Sequence, residues 1–367
     1  MGILQPIWDG TFVYREPVCF STDKDGQPTG GTLLYQPEEI LSVTSFDGSV
    51  FYQPVRDYTA NGRQLVRTEA SRIPYLERSV YCKPFTGVPE TAWVRLSGGK
   101  AYMEVVSDVY RWQTLVTYTH RDKWAGFQPE ACGESLPRSM EKLRAGGDFH
   151  LTFYGDSITA GWEASGCNER AIDMVTLGEY HVSLWHAPYQ PAWAELVTNA
   201  LQARYPQSNV IKTNRAAGGS TVQWGGEHAA ELVPPCKPDL IMLGFGMNSM
   251  QESAEDYRRA ILSIIRTIRK ECHDCEFVLM SPMIPNPEIK GFQNNQLPAQ
   301  QDVLYQIAAE LEGVCIAPVH SVFREMTARG KHYLELTGNC INHPNDFSVR
   351  VYAQTVLRTL GVDGSDG

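Results

Sequence analysis

Four short stretches of the chain hold residue types that together could run acyl transfer. In Gly155-Asp156-Ser157-Ile158-Thr159-Ala160-Gly161-Trp162 a serine sits on a Gly-flanked turn directly after an apolar run. A serine held that way exposes its hydroxyl and points its own N–H to where an oxyanion would form. The spacing is not the GxSxG elbow, since Gly155 lies two before Ser157 but Thr159 lies two after it. By itself the stretch also reads as a helix N-cap. The second stretch, Asn214-Arg215-Ala216-Ala217-Gly218-Gly219-Ser220-Thr221, offers a glycine that lets a ligand approach the backbone and leaves its N–H free to donate. The third, Gly244-Phe245-Gly246-Met247-Asn248-Ser249, offers a side-chain amide, and the fourth, Thr337 to Asp346, places His343 just before a helical stretch. Combined, they give a nucleophile (Ser157), a base (His343) and three oxyanion donors: the N–H groups of Ser157 and Gly219 and the amide of Asn248.

Those residues need a frame that brings them together. From residue 148 onward, apolar strand-like runs (Phe149 to Tyr154, Asn209 to Thr213, Asp239 to Phe245, Glu276 to Met280, Gly313 to Ala317) alternate with helical stretches. The clearest helix begins at Ser253 and carries Ile261, Ile264, Ile265 and Ile268 on one face; Pro191 to Tyr205, Pro298 to Leu311 and Phe347 to Leu360 supply others. Strand–helix alternation predicts a parallel sheet covered on both faces, with its site beyond the carboxyl ends of the strands. Three of the four stretches follow such runs, and the fourth is the last such loop.

The first 125 residues read differently. Short β-rich runs are punctuated by Asn61-Gly62 and Gly98-Gly99, and Trp112 to Tyr118 alternates once more. These predict an all-β sandwich of jelly-roll type over 1–125, a Pro- and Gly-containing linker over 126–147, and an α/β domain over 148–367. The 367 residues are 43% hydrophobic and 20% charged with a net charge of −10, values that exclude a disordered chain and argue against nucleic acid. No apolar stretch reaches the roughly 18 to 20 residues of a membrane span, and the start lacks a leader's basic and apolar regions, so the expectation is a cytoplasmic protein, or a secreted one if a leader was removed. Nine scattered cysteines suit reduced thiols; Cys272-His273-Asp274-Cys275 has metal-binding or redox spacing but no second pair, and its plainer reading is a helix-to-strand turn.

On these stretches the chain resembles the SGNH hydrolases, the GDSL esterase family, over about residues 148 to 362. Gly155-Asp156-Ser157 resembles the nucleophile block, Asn214 with Gly219 the glycine block, Gly246-Met247-Asn248 the asparagine block and Asn342-His343-Pro344 the histidine block, in the family's order. Ser281 to Pro287 resembles the loop after the family's fourth strand. Two positions depart: Cys340 stands where the family often has Asp three residues before the His, and Ser249 where it has Asp after the Asn. A base histidine needs an acceptor for its other ring N–H. A backbone carbonyl near Cys340, the Asn339 side chain or a carboxylate from another loop would serve, with Asp346 favoured instead as a helix cap; the expectation is a Ser-His dyad with its third member open.

The resemblance implies ester hydrolysis through an acyl-enzyme, without metal or organic cofactor. Aromatic residues (Trp162, Trp224, and Tyr180, Trp185, His186 and Tyr189 of a long insert) could stack on sugar rings or simply pack between domains. A jelly-roll-like domain ahead of an SGNH domain is similar to carbohydrate esterases that remove acetyl groups from plant polysaccharides, which implies an acetylated carbohydrate as partner. A general acyl ester or thioester hydrolase would use the same residues, and a non-catalytic sugar-binding protein would keep the aromatics with a decayed site.

Overall fold

The computed structural model describes residues 3–23, 25–78, 82–84, 93–95, 101–104, 109–289 and 291–362. The expected strand-rich N-terminal part is present. Strands β1 (Phe12–Val18), β2 (Pro37–Ser45), β3 (Tyr58–Asn61), β4 (Gln64–Arg67) and β5 (Thr114–His120) form its main elements, with β5 between β1 and β2 in an antiparallel sheet. The hairpin expected at Asn61-Gly62 joins β3 to β4. The Gly98-Gly99 turn lies outside the described residues, although the flanking Trp93–Arg95 and Ala101–Glu104 pair antiparallel. The described sheets of this part hold two or three strands each.

All five apolar runs become strands of one parallel sheet. With β6 (Gly147–Gly155), the hairpin β7 (Asn168–Ile172) and β8 (Glu179–Ser183), then β9 (Ser208–Asn214), β10 (Leu240–Gly244), β11 (Glu276–Met280) and β12 (Val314–Ala317), the spatial order is β9-β6-β10-β11-β12. The order reverses at β6, so the loops after β6, β9 and β10 lie side by side at the sheet's switch point. Successive strand residues face opposite cores, as period-two side chains must. Phe149, Leu151 and Phe153 of β6 enter one core, and Tyr154 the other.

Eight helices accompany the sheet among the described residues: α1 (Pro137–Ala145), α2 (Trp193–Arg204), α3 (Val222–Leu232), α4 (Ala254–Arg269), α5 (Leu297–Glu310), α6 (Val319–Ala328), α7 (Tyr333–Leu336) and α8 (Asp346–Thr359). Helix α4 starts where the sequence marks it: the Ser253 hydroxyl accepts the Asp256 N–H, and Ile261, Ile264, Ile265 and Ile268 are buried. Residues 126–147, read as linker, contain α1. Pro137 opens it at a position where the missing N–H costs nothing, and Met140 and Leu143 bury against the sheet. Cys272 and Cys275 form the turn between α4 and β11, closed by the Cys275 N–H on the Cys272 carbonyl. Among the described residues, eight cysteines are free thiols and no group of three His, Cys, Asp or Glu side chains is placed to hold a metal.

The two parts share one core. Val13, Val18, Leu33, Val43 and Tyr118 belong to the same buried cluster as Phe347, Val351 and Tyr352. Polar contacts follow: Gln113 donates from Nε2 to the carbonyls of Leu334 and Thr337 (both 2.8 Å) and accepts from Asn345 Nδ2 (3.0 Å). Lys331, fully buried, reaches Glu16 of β1 at 3.0 Å and Glu335 of α7 at 3.3 Å, and donates to the carbonyls of Pro17 and Thr32. Burial alone would depress this ammonium; the two carboxylates outweigh it and hold its pKa above the ordinary lysine value. The two carboxylates also accept from protein donors: Glu335 from the N–H groups of Cys19, Gly31 and His332, and Glu16 from the Leu34 N–H and the Tyr118 hydroxyl.

Among the described residues no helix is long and apolar enough to cross a membrane.

Candidate active site

The turn after β6 is held from several sides. Trp193 Nε1 donates to the Ile158 carbonyl (2.8 Å), Asn214 Nδ2 to that of Thr159 (3.0 Å), and the Thr159 hydroxyl to that of Gly244 (3.2 Å). Asn214 of the glycine block thus fixes the serine turn through its side chain, and its Oδ1 accepts the Ala216 N–H that begins the next loop. On this turn Ser157 is buried, and its Oγ lies 2.9 Å from His343 Nε2. That is the distance at which a neutral imidazole accepts the hydroxyl proton.

His343 is delivered by a loop held from within and without. Asn339 Oδ1 accepts the N–H groups of Ile341, Asn342 and His343 (2.9, 3.0 and 3.1 Å), and Gly338 N–H donates to the His343 carbonyl. From the loop after β11, Asn286 Nδ2 donates to the Cys340 carbonyl (2.8 Å). Two of the acceptors open for His343 are therefore committed elsewhere. Asp346 is neither acceptor nor cap: its carboxylate takes the N–H and hydroxyl of Ser165 (2.9 and 2.7 Å), and Asn345 caps α8 by accepting the Ser348 N–H. Asn is as good a cap as Asp, and the buried Asp346 instead ties α8 to the loop that follows Ser157. Among the described residues the carboxylate nearest the other ring nitrogen is that of Glu163, with Oε1 3.9 Å from His343 Nδ1.

The residues expected to donate to an oxyanion lie on three adjacent loops. Gly219 has φ +79°, in the left-handed region that glycine enters without penalty, and the space where a Cβ would stand is open. Asn248 is exposed, and its Nδ2 donates one hydrogen to the Ser220 carbonyl at 3.0 Å, leaving the second for a ligand. Ser249, at the position where the family's Asp is absent, accepts the Val222 N–H at the start of α3 (2.9 Å).

The aromatic residues divide. Trp162 stands edge-on to the His343 ring (centroids 5.5 Å apart, 82° between planes) and packs against Gly218. Trp224 is half-buried, stacked on His228, with its Nε1 bonded to the Met174 carbonyl. Trp185 is 67% exposed beside Tyr189, itself 49% exposed, with ring centroids 5.2 Å apart.

Next to Ser157, the fully buried Asp156 carboxyl is pushed by desolvation from an ordinary 3.8 up to about 6, against the pull of the Ile158 N–H and of His343. A carboxyl that holds its proton more tightly folded than unfolded stabilises the fold below its unfolded value, and that contribution is lost as pH rises through about 6. At about 1.4 kcal/mol per pH unit the loss is about 3 kcal/mol. Asp156→Asn, which does not titrate, should gain on the wild type by about that amount between pH 4 and pH 7 in urea unfolding; parallel stability curves would contradict the assignment.

A hydroxyl seated on an imidazole nitrogen, beside backbone and amide donors at the switch point of a parallel sheet, is the arrangement of a serine hydrolase. The chain belongs to the GDSL-like lipase/acylhydrolase family, whose model matches residues 153–348. Comparison with curated proteins finds no match. Solved structures similar to it include a two-domain esterase (CEX) active on acetylated mannans, at TM-score 0.48 and 20% identity over 66% of this chain and 56% of that one. Another is Axe2, an acetylxylan esterase from Geobacillus stearothermophilus, at TM-score 0.46 and 21% identity over 59% of this chain and 96% of that one. The chain spans a little over half the length of the first.

Proposed function

We propose that the protein is a serine esterase that removes O-acetyl groups from carbohydrates. The observation that carries the reading is the 2.9 Å contact between Ser157 Oγ and His343 Nε2 at the switch point of the sheet. His343 takes the Ser157 proton as Oγ attacks the ester carbonyl. The N–H groups of Ser157 and Gly219 and the amide of Asn248 receive the oxyanion, and the sugar alcohol leaves with the proton returned by His343. Water, deprotonated by the same imidazole, then frees acetate from Ser157. These steps draw on no metal or organic cofactor.

Two features support a small acyl group on a sugar. Trp162 packs on Gly218 and stands edge-on to His343, which puts an aromatic wall beside the nucleophile pair where a small acyl group would sit. Trp185 and Tyr189 present exposed ring faces on the insert between β6 and α2, where a sugar can stack without charge attraction. The test is acetate release from acetylated xylo- and manno-oligosaccharides, set against an aryl acetate and an acyl-CoA. The expected result is kcat/KM highest on the sugar acetates. Preference for the acyl-CoA would make the protein a general acyl or thioester hydrolase, and no turnover of any ester would make it a sugar-binding protein with an inactive site.

A further inference from the structure

We propose that Glu163, carried on the same loop as the nucleophile, is the carboxylate that orients His343 and takes the place of the Asp absent at position 340, with Tyr110 of the strand-rich part holding it there. This rests on the reading of Ser157 and His343 as an esterase pair.

Four observations converge on it. His343 Nδ1 is buried and has no hydrogen-bond partner among the described residues, while Glu163 Oε1 stands 3.9 Å away, a gap that a small side-chain rotation closes on substrate binding. Glu163 is buried and lies at φ +71°, a left-handed conformation that a non-glycine residue holds only when its surroundings impose it. Its other oxygen, Oε2, accepts the Tyr110 hydroxyl at 3.3 Å; burial, and next to it the Glu163 charge, push that phenol well above its ordinary pKa, so it remains a donor. Finally, a Cβ at Gly338 would meet Tyr110 Oη at 2.5 Å and Glu163 Cβ at 2.8 Å. Only glycine there lets the histidine loop close against this pair.

The arrangement predicts an unusual order among variants. In Glu163→Gln the Tyr110 hydroxyl donates to the amide oxygen and turns the amide NH2 toward Nδ1. That locks the proton on Nε2, the nitrogen that must accept from Ser157, which is the wrong tautomer for a base. Glu163→Ala leaves Nδ1 free to find water. On an aryl acetate, kcat should therefore fall by about 10²- to 10⁴-fold in Glu163→Gln, with KM changed less than about threefold, and fall less in Glu163→Ala. A purely structural role would reverse the order, because Gln preserves the shape that Ala removes. Alanine slower than glutamine, or wild-type kcat in the folded Gln variant, overturns the proposal. If neither variant folds, the wild type decides: a strongly downfield Nδ1–H proton resonance of His343 supports the contact and its absence overturns it. An inactive wild type would instead fail the esterase reading itself.

Discussion

Ser157→Ala should reduce kcat for ester hydrolysis by about 10³- to 10⁶-fold while leaving the unfolding midpoint within a few degrees of wild type. In the proposed mechanism the hydroxyl oxygen is the atom acylated, so its loss would remove the covalent route, while the N–H of residue 157 and the other proposed oxyanion donors would stay in place. Whatever activity persists would come from those donors and from binding. His343→Ala should cost about as much. The Ser157→Ala/His343→Ala double variant should be no slower than Ser157→Ala alone to within about threefold, because a base has nothing to do once its proton source is gone. Full additivity of the two losses would mean that the residues act separately, and the 2.9 Å contact would then not be a catalytic one.

Lys331→Met should be the most damaging single substitution for stability outside the site. It removes the cation that, among the described residues, sits between Glu16 and Glu335, whose side chains, like that of Lys331, are fully buried. Breaking such a group by deleting one partner costs about 3 to 5 kcal/mol, because the carboxylates remain out of water without their counter-charge. Urea unfolding followed by circular dichroism should show the loss as a lower midpoint. Replacing all three with apolar residues of similar volume should not recover it, because the N–H groups of Cys19, Gly31, His332 and Leu34 and the Tyr118 hydroxyl would lose their acceptors. An unchanged midpoint in the single variant would show that the carboxylates had taken up protons at little cost.

Local signals were readable because they act over a few residues. The serine turn, the glycine at 219, the amide at 248 and the histidine before the last helix each declare themselves within a stretch of about ten residues, and strand alternation then brings their loops together. Helix α4 was equally plain from its isoleucine stripe. Helix α3 was not, since Gly225 and Gly226 break the apolar period; Gly225 is there because the Phe245 ring lies where its Cβ would be. Helix α1 was hidden among the Pro and Gly that read as linker. Glu163 could not be singled out, because nothing in its spacing from Ser157 reports the left-handed turn or the closeness of Gly338. The visible clue was negative: Cys340 in the acid's usual place required some other group to face the imidazole. The capping role went to Asn345 and not Asp346 for a similar reason, since the Ser165 contact that occupies Asp346 is tertiary.

The contacts of Gln113 bear on how such a chain could change over generations. One side chain from the strand-rich part binds Leu334, Thr337 and Asn345, the ends of the segment that delivers His343. A recombination that exchanged the first 120 residues for a foreign segment would strip the histidine loop of its brace as well as altering the surface. A change at 113 would take the acceptor from Asn345 and the donor from Leu334 and Thr337 at once, so neither half of the protein can be altered there without reaching the segment that carries His343.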